Sequence, residues 1–221
     1  MEKETLDMRI ITVSRQFGSG GREIGERLAE ILGWDYYDKE IVEKLSEEQG
    51  LDEQHVRHIL SHHGWQSMQL TYRNSFSRAI PHSYMGTQLL VQQREIIREI
   101  AQAGNDCIIV GRDADVILKE EKPFRIFICA DMEARLARTM AYEQRRPENE
   151  RLTEKEVMRN IRRIDKNRIR TREILTGRSG RNGTTFDLTV NAAGRCIPKL
   201  AQALADFSLR WFDFAIVPDQ N

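Results

Sequence analysis

Apolar positions along the chain fall into two periods. Ile10-Ile11-Thr12-Val13-Ser14 is a short β-rich run, and it passes through Arg15-Gln16-Phe17-Gly18-Ser19-Gly20-Gly21 into the stretch REIGERLAEILG. There Ile24, Leu28, Ile31 and Leu32 recur on one face at the helical period, and Gly33 is a natural terminator. A brief extended segment from Trp34 to Tyr37 ends at Asp38, and residues from about 39 to 104 read as mostly helical. The last helix of that region has Leu90, Ile97, Ile100 and Ala101 facing the core and Gly104 at its end. Cys107 to Val110 and Arg125 to Cys129 are near-continuous apolar runs, the pattern of parallel strands covered by helices on both faces. MEARLARTMAYEQRR is helical up to Pro147, and a second long helix follows with Thr153 as N-cap and Glu156 placed for a capping box. Phe186 to Asn191 is a last strand, and Pro198 to about Phe214 a closing helix. Strand and helix alternate around a polar insertion, which predicts a parallel α/β layer with helical lobes.

Composition narrows the function classes. With 40% hydrophobic and 31% charged residues, the 221-residue chain reads as globular, one domain of the larger kind or a domain with a smaller lobe. The formal net charge of 0 argues against a protein-wide field that collects nucleic acid. The charge is polarised, however: Glu23–Glu53 holds eleven acids against three bases, and Lys155–Arg181 ten bases against three acids. Such a pattern suits a local anion site. Cys107, Cys129 and Cys196 show no metal-like spacing, and the first two lie in apolar runs as expected of buried thiols. Without a disulfide framework, a spanning segment or an apolar core in the opening MEKETLDMR, the expected home is the cytoplasm. His55, His58, His62 and His63 read as a surface cluster rather than a metal centre.

Three features carry chemistry. Gly18-Ser19-Gly20-Gly21 lies between a strand and a helix, where backbone N–H groups and the helix N-terminus favour phosphate oxygens, and Arg22 adds a charged donor. An ordinary glycine-rich turn would share that composition. The loop departs from GxxxxGK[ST]: Gly21 stands at the lysine position and Arg22 at the hydroxyl position. Secondly, Arg162, Asp165 and Arg168 are spaced to share a helix face, with Arg163, Lys166, Arg170 and Arg172 nearby. Such a helix could close over polyphosphate while Asp165 holds a guanidinium in place; a solvated basic helix is the plainer alternative. Thirdly, Asp38 and Gly111-Arg112-Asp113 follow strands, where open parallel sheets bind ligands. Arg112 could grip an acceptor phosphate, and Asp38 and Asp113 could accept from base or sugar donors or hold water on magnesium. A salt bridge between strand-end residues is the alternative. The segment RWFDFAIV could cover the sheet within one chain or meet a partner subunit in a homo-oligomer.

GSGG after a strand, YYD, the Gln93-Arg94 helix, GRDADVIL, RIFICAD and RRIDKNR together resemble the cytidylate kinase-like proteins over roughly residues 8 to 195. The resemblance implies an α/β, three-layer P-loop kinase-type fold with a parallel sheet flanked by helices. It implies a single domain over 1–221, with a helical acceptor-binding insertion at about 39–90 and a basic lid at about 148–185. It also implies ATP and Mg2+ as cofactors and a nucleoside monophosphate or related small molecule as acceptor; the neutral net charge and the short apolar runs lead to the expectation of no nucleic acid or membrane partner. Residue by residue, it assigns Gly18, Ser19, Gly20 and Gly21 to the donor phosphates; Arg22, which replaces the family's hydroxyl residue, joins them as the expected charged donor and catalytic group. Asp38, Arg94, Arg112 and Asp113 go to the acceptor, and Arg162, Asp165 and Arg168 to the catalytic lid, with the metal ligands unassigned. GSGG in place of GSGK, and GRDAD in place of GRDIG, leave Arg22 to compensate for the missing lysine. A nucleotide- or phosphate-binding regulatory protein without catalysis is the competing expectation.

Overall fold

The computed structural model describes residues 8–38, 85–177 and 185–213. Five strands, β1 (Ile10–Arg15), β2 (Asp35–Tyr37), β3 (Cys107–Val110), β4 (Phe124–Cys129) and β5 (Leu188–Asn191), pair in parallel in the order β2-β3-β1-β4-β5. Parallel neighbours need crossovers, and helices supply them: α1 (Gly21–Leu32), α2 (Met85–Gln102), α3 (Ala114–Ile117), α4 (Met132–Glu143), α5 (Glu154–Thr176) and α6 (Ile197–Asp213). β1 takes the centre because Ile10, Ile11 and Val13 have apolar neighbours on both sides, Ile10 opposite Cys107 and Ile11 opposite Phe124. All four residues of β3 are buried as expected.

β4 differs from expectation. Its burial alternates, leaving Arg125, Phe127 and Cys129 half-buried. The segment before β5 covers that face only in part: Phe186 stacks on Phe127 at 4.9 Å, and Asp187 accepts from Arg125 at 2.6 and 3.0 Å. Ile31 is also misplaced by the helical pattern, being 41% exposed. Small residues Gly21, Gly25 and Ala29 belong to the buried stripe with Ile24 and Leu28, which shifts it away from Ile31. Gly25 allows this approach, since a methyl there would come within 2.4 Å of Val110.

The ends of the elements follow local chemistry. Gly33 closes α1 in the left-handed conformation at φ 67°, and Thr153 and Glu156 form the expected capping box on α5. Ile97, Ile100 and Ala101 are buried along α2, joined by Ile96. The side chain of Leu90, the histidine cluster, and the helices read between 39 and 84 lie outside the described residues. The aromatic C-terminal segment, as far as Asp213, covers the sheet within the chain: Trp211 stacks on Phe124 at 4.6 Å and Phe212 meets Trp34 at 5.9 Å. Among the described residues no helix is long and apolar enough to cross a membrane.

The three thiols are free but unequal. Cys107 is buried, Cys129 half-buried with its Sγ 3.5 Å from the Val190 carbonyl oxygen, and Cys196 exposed. Burial pushes the Cys107 thiol up, and Asp35 and Asp106 add to the shift. Titration with a disulfide reagent at pH 8 is therefore expected to label Cys196 at once and to leave Cys107 unlabelled until the protein is denatured.

Candidate functional site

The glycine loop is shaped by two left-handed glycines, Gly18 at φ 77° and Gly20 at φ 88°. Gly20 is the N-cap of α1 and has no side chain of its own with which to cap it. The first N–H groups of α1 open toward the loop, with the helix dipole behind them, the arrangement that favours an anion. The Ser19 hydroxyl turns inward and donates to the Gln16 carbonyl at 2.9 Å. Arg138 of α4 reaches the loop by donating to the Gly18 carbonyl at 2.8 Å. Beside it, Asp131, Ala134, Arg138, Gly194 and Arg195 line an open cleft of about 550 Å³.

Asp165 fastens α5 to this loop. Its carboxylate accepts from the Phe17 backbone N–H at 2.9 Å, from Arg168 at 3.4 Å, and from the buried Arg135 of α4, which also donates to the Phe17 carbonyl at 2.7 Å. Arg168 donates to the Arg15 carbonyl at 3.1 Å and lies over the Phe17 ring. Of the expected trio, Asp165 and Arg168 therefore grip the backbone just before the glycines, whereas Arg162 is exposed on the same helix.

The carboxyl ends of β1, β2 and β3 gather the other charged groups. Arg22 pairs with Asp38 at 2.7 Å, and Asp38 is 2% exposed. Arg112 donates to Gln93 Oε1 at 2.9 Å. Arg94 is exposed, and among the described residues no hydrogen bond or ion pair joins it to this pocket. After β3 the backbone stays left-handed through Gly111 (φ 80°), Arg112 (φ 58°) and Asp113 (φ 51°). A non-glycine residue held there costs roughly 1–2 kcal/mol, and the turn persists because both of its side chains are tied down. Asp113 accepts from Arg172 of α5 at 3.4 Å, and Arg172 makes a fork with Asp115 at 3.0 and 2.6 Å. Asp115 also accepts from the Ser14 hydroxyl at 3.3 Å.

Sequence reasoning passed over Arg15. It ends β1, and its side chain runs past Gly21 to lay its guanidinium on the backbone of Gly111. Burial lowers its pKa; Tyr36 and Asp38 oppose that shift, and Arg112 and Arg22 reinforce it. An arginine directly after a β-rich run, followed by a loop of small residues, was the available signal. Asp115 and Arg172 were missed as a pair because they lie 57 residues apart.

Asp38 and Asp113, which could hold water on magnesium, are each paired with an arginine. Among the described residues no three His, Cys, Asp or Glu side chains form a metal-holding group, and Asp38, Asp113, Asp115 and Asp131 are each engaged by a cation or a backbone N–H. The loop does fit a nucleotide polyphosphate, because its glycines and the start of α1 present backbone donors.

The model of the cytidylate kinase-like family matches residues 10–193. No curated protein matches the chain by sequence. Among solved structures, an uncharacterized protein from Eubacterium ventriosum is 20% identical with a TM-score of 0.65, the match covering 94% of this chain and 100% of that one. A shikimate kinase from Bacteroides thetaiotaomicron is 15% identical with a TM-score of 0.51, over 90% and 98% of the two chains. At these identities the likeness is one of fold, a parallel sheet flanked by helices in the P-loop kinase arrangement.

Proposed function

Because the chain belongs to the cytidylate kinase-like family, we propose that it is an ATP-dependent phosphotransferase acting on a nucleoside monophosphate or a related small anionic acceptor. One observation carries this reading: the glycine loop and the arginine-bearing strand ends lie within one side chain of each other, Arg15 touching both Gly21 and Gly111. A donor bound at the loop would present its terminal phosphate toward the groups that would hold the acceptor.

In this reading the backbone N–H groups of Gly20 to Arg22 cradle the donor phosphates, and Arg138 and the adjoining cleft face the rest of the nucleotide. Magnesium, when bound with ATP, neutralises phosphate charge; it would come held by the phosphates and water, since the described carboxylates do not offer it a cage. Arg112, oriented by Gln93, grips the acceptor anion, while Asp38, steadied by Arg22, accepts from a hydroxyl of the acceptor. Asp165 and Arg168 act through the loop backbone, keeping it in its phosphate-binding shape. The insertion at about 39–90 would complete the acceptor side, and α5 the lid. Free, unpaired thiols agree with work in a reducing cytoplasm.

ADP release, measured with ATP and Mg2+ against a panel of nucleoside monophosphates and small hydroxy acids, tests the reading. Turnover with one acceptor class is expected. Arg112→Met is expected to lower kcat/KM for that acceptor by about 10²-fold, the loss of a charge-assisted anion contact. Nucleotide binding without ADP release under any acceptor would instead support a regulatory nucleotide-binding protein.

A further inference from the structure

Three hydrogen-bonding groups at the strand ends lack a partner among the described residues: Arg15 and Tyr36 share their surroundings, and Gln93 joins them through Arg112. The Arg15 guanidinium makes no hydrogen bond or ion pair there. Tyr36, 5% exposed, has an unpartnered hydroxyl, and Gln93, 3% exposed, has an unpartnered Nε2 beside the carboxamide oxygen that holds Arg112. Buried donors are ordinarily paired, so a cluster of orphans around an arginine marks a place built for an absent acceptor. Charge points the same way: Arg15 shares its surroundings with Arg22 and Arg112, and Asp38, the acid nearest to it among the described residues, is itself paired with Arg22.

Two glycines make the arrangement possible. A methyl on Gly21 would come 2.6 Å from Arg15 Cβ, and one on Gly111 would come 1.6 Å from Arg15 Nη1. Gly21 therefore does not mark only a lysine that is lacking. Its missing side chain is the space through which Arg15 passes, so a lysine at 21 and this placement of Arg15 exclude one another.

We propose that Arg15, with Tyr36 Oη and Gln93 Nε2, forms a site for a phosphate dianion, and that Arg15 supplies from β1 the positive charge that the glycine loop lacks at Gly21. The site rests on the phosphotransferase reading, and it suits either the terminal phosphate of ATP or the phosphate of an acceptor. A planar fork of donors at the strand end can bind two oxygens at once, where a lysine would offer a point charge.

Calorimetric titration of inorganic phosphate, ATP, ADP and a nucleoside monophosphate into wild type, Arg15→Met and Tyr36→Phe tests the site, with thermal melting alongside. Phosphate is expected to bind wild type, at least 30-fold more weakly to Arg15→Met and several-fold more weakly to Tyr36→Phe. Without ligand, Arg15→Met is expected to melt higher than wild type, because an unpaired desolvated cation has been removed; phosphate then raises the melting temperature of wild type only. A structural arginine would do the opposite. Arg15→Met melting lower, or binding phosphate within twofold of wild type, overturns the proposal, as does unchanged phosphate affinity in the isosteric Tyr36→Phe. Loss of ATP affinity with ADP affinity kept assigns the dianion to the donor; loss of monophosphate affinity with ATP affinity kept assigns it to the acceptor. If phosphate binding depends on Arg15 yet no acceptor releases ADP, the site stands and the kinase reading falls. Undiminished ADP release by Arg15→Met removes the site and leaves the kinase.

Discussion

Asp165→Ala is expected to destabilise the protein by roughly 3–5 kcal/mol, the range for removing one partner of a buried ion pair. The reason is the number of groups that this carboxylate satisfies. Arg135, 6% exposed at its side chain, would lose its only carboxylate among the described residues and keep the Phe17 carbonyl. The Phe17 N–H and Arg168 would each lose an acceptor as well. The damage falls on the backbone that leads into Gly18, so nucleotide affinity should drop together with stability. Urea denaturation of Asp165→Ala beside Arg162→Ala checks this. Arg162 shares the helix but is exposed, and its replacement is expected to stay within about 0.5 kcal/mol of wild type. Equal losses in the two variants would mean that α5 is not fastened to the loop through Asp165.

That contrast shows what could be read from the sequence and what could not. β1, the glycine loop and α1 were legible because each is a local pattern: a β-rich run, glycines where φ must be positive, and apolar residues at helical spacing. The capping box at Thr153 was legible for the same reason. Spacing also brought Arg162, Asp165 and Arg168 to one helix and paired Asp165 with Arg168, a neighbour within a turn. It could not say what the helix meets. The Phe17 N–H lies 148 residues from Asp165 and Arg135 lies 30, and neither separation leaves a periodic trace. Arg22 looked like the natural replacement for a loop lysine because it follows the glycines, yet its side chain turns to Asp38. Arg15 occupies the space beside Gly21 instead, a placement that depends on Gly111, 96 positions away in the chain. Ile31 failed for a related reason, since pattern reading weighs large apolar residues and misses a close approach made by glycines.

The second large effect is expected at the other anchor of α5. Arg172→Met should cost roughly 3–5 kcal/mol, because it strands a carboxylate that is almost fully enclosed. The Asp115 side chain is 2% exposed and would keep the Ser14 hydroxyl at 3.3 Å in place of a two-pronged guanidinium. Asp113 would lose its bond to Arg172 too, and with it a restraint on the left-handed turn through Arg112. The stability loss should therefore come with a raised KM for the acceptor, since Arg112 is aimed by that turn. A second substitution separates the two consequences. In Arg172→Met/Asp115→Leu the enclosed Asp115 charge is gone and only the more exposed Asp113 is left without Arg172; buried pairs exchanged for apolar residues are often neutral or stabilising, so stability is expected to return close to wild type. Acceptor affinity is not expected to return with it, because Asp113 still lacks its arginine. Recovery of both together would show that the pair serves only to hold the fold; recovery of stability alone would show that α5 also sets the strand-end pocket.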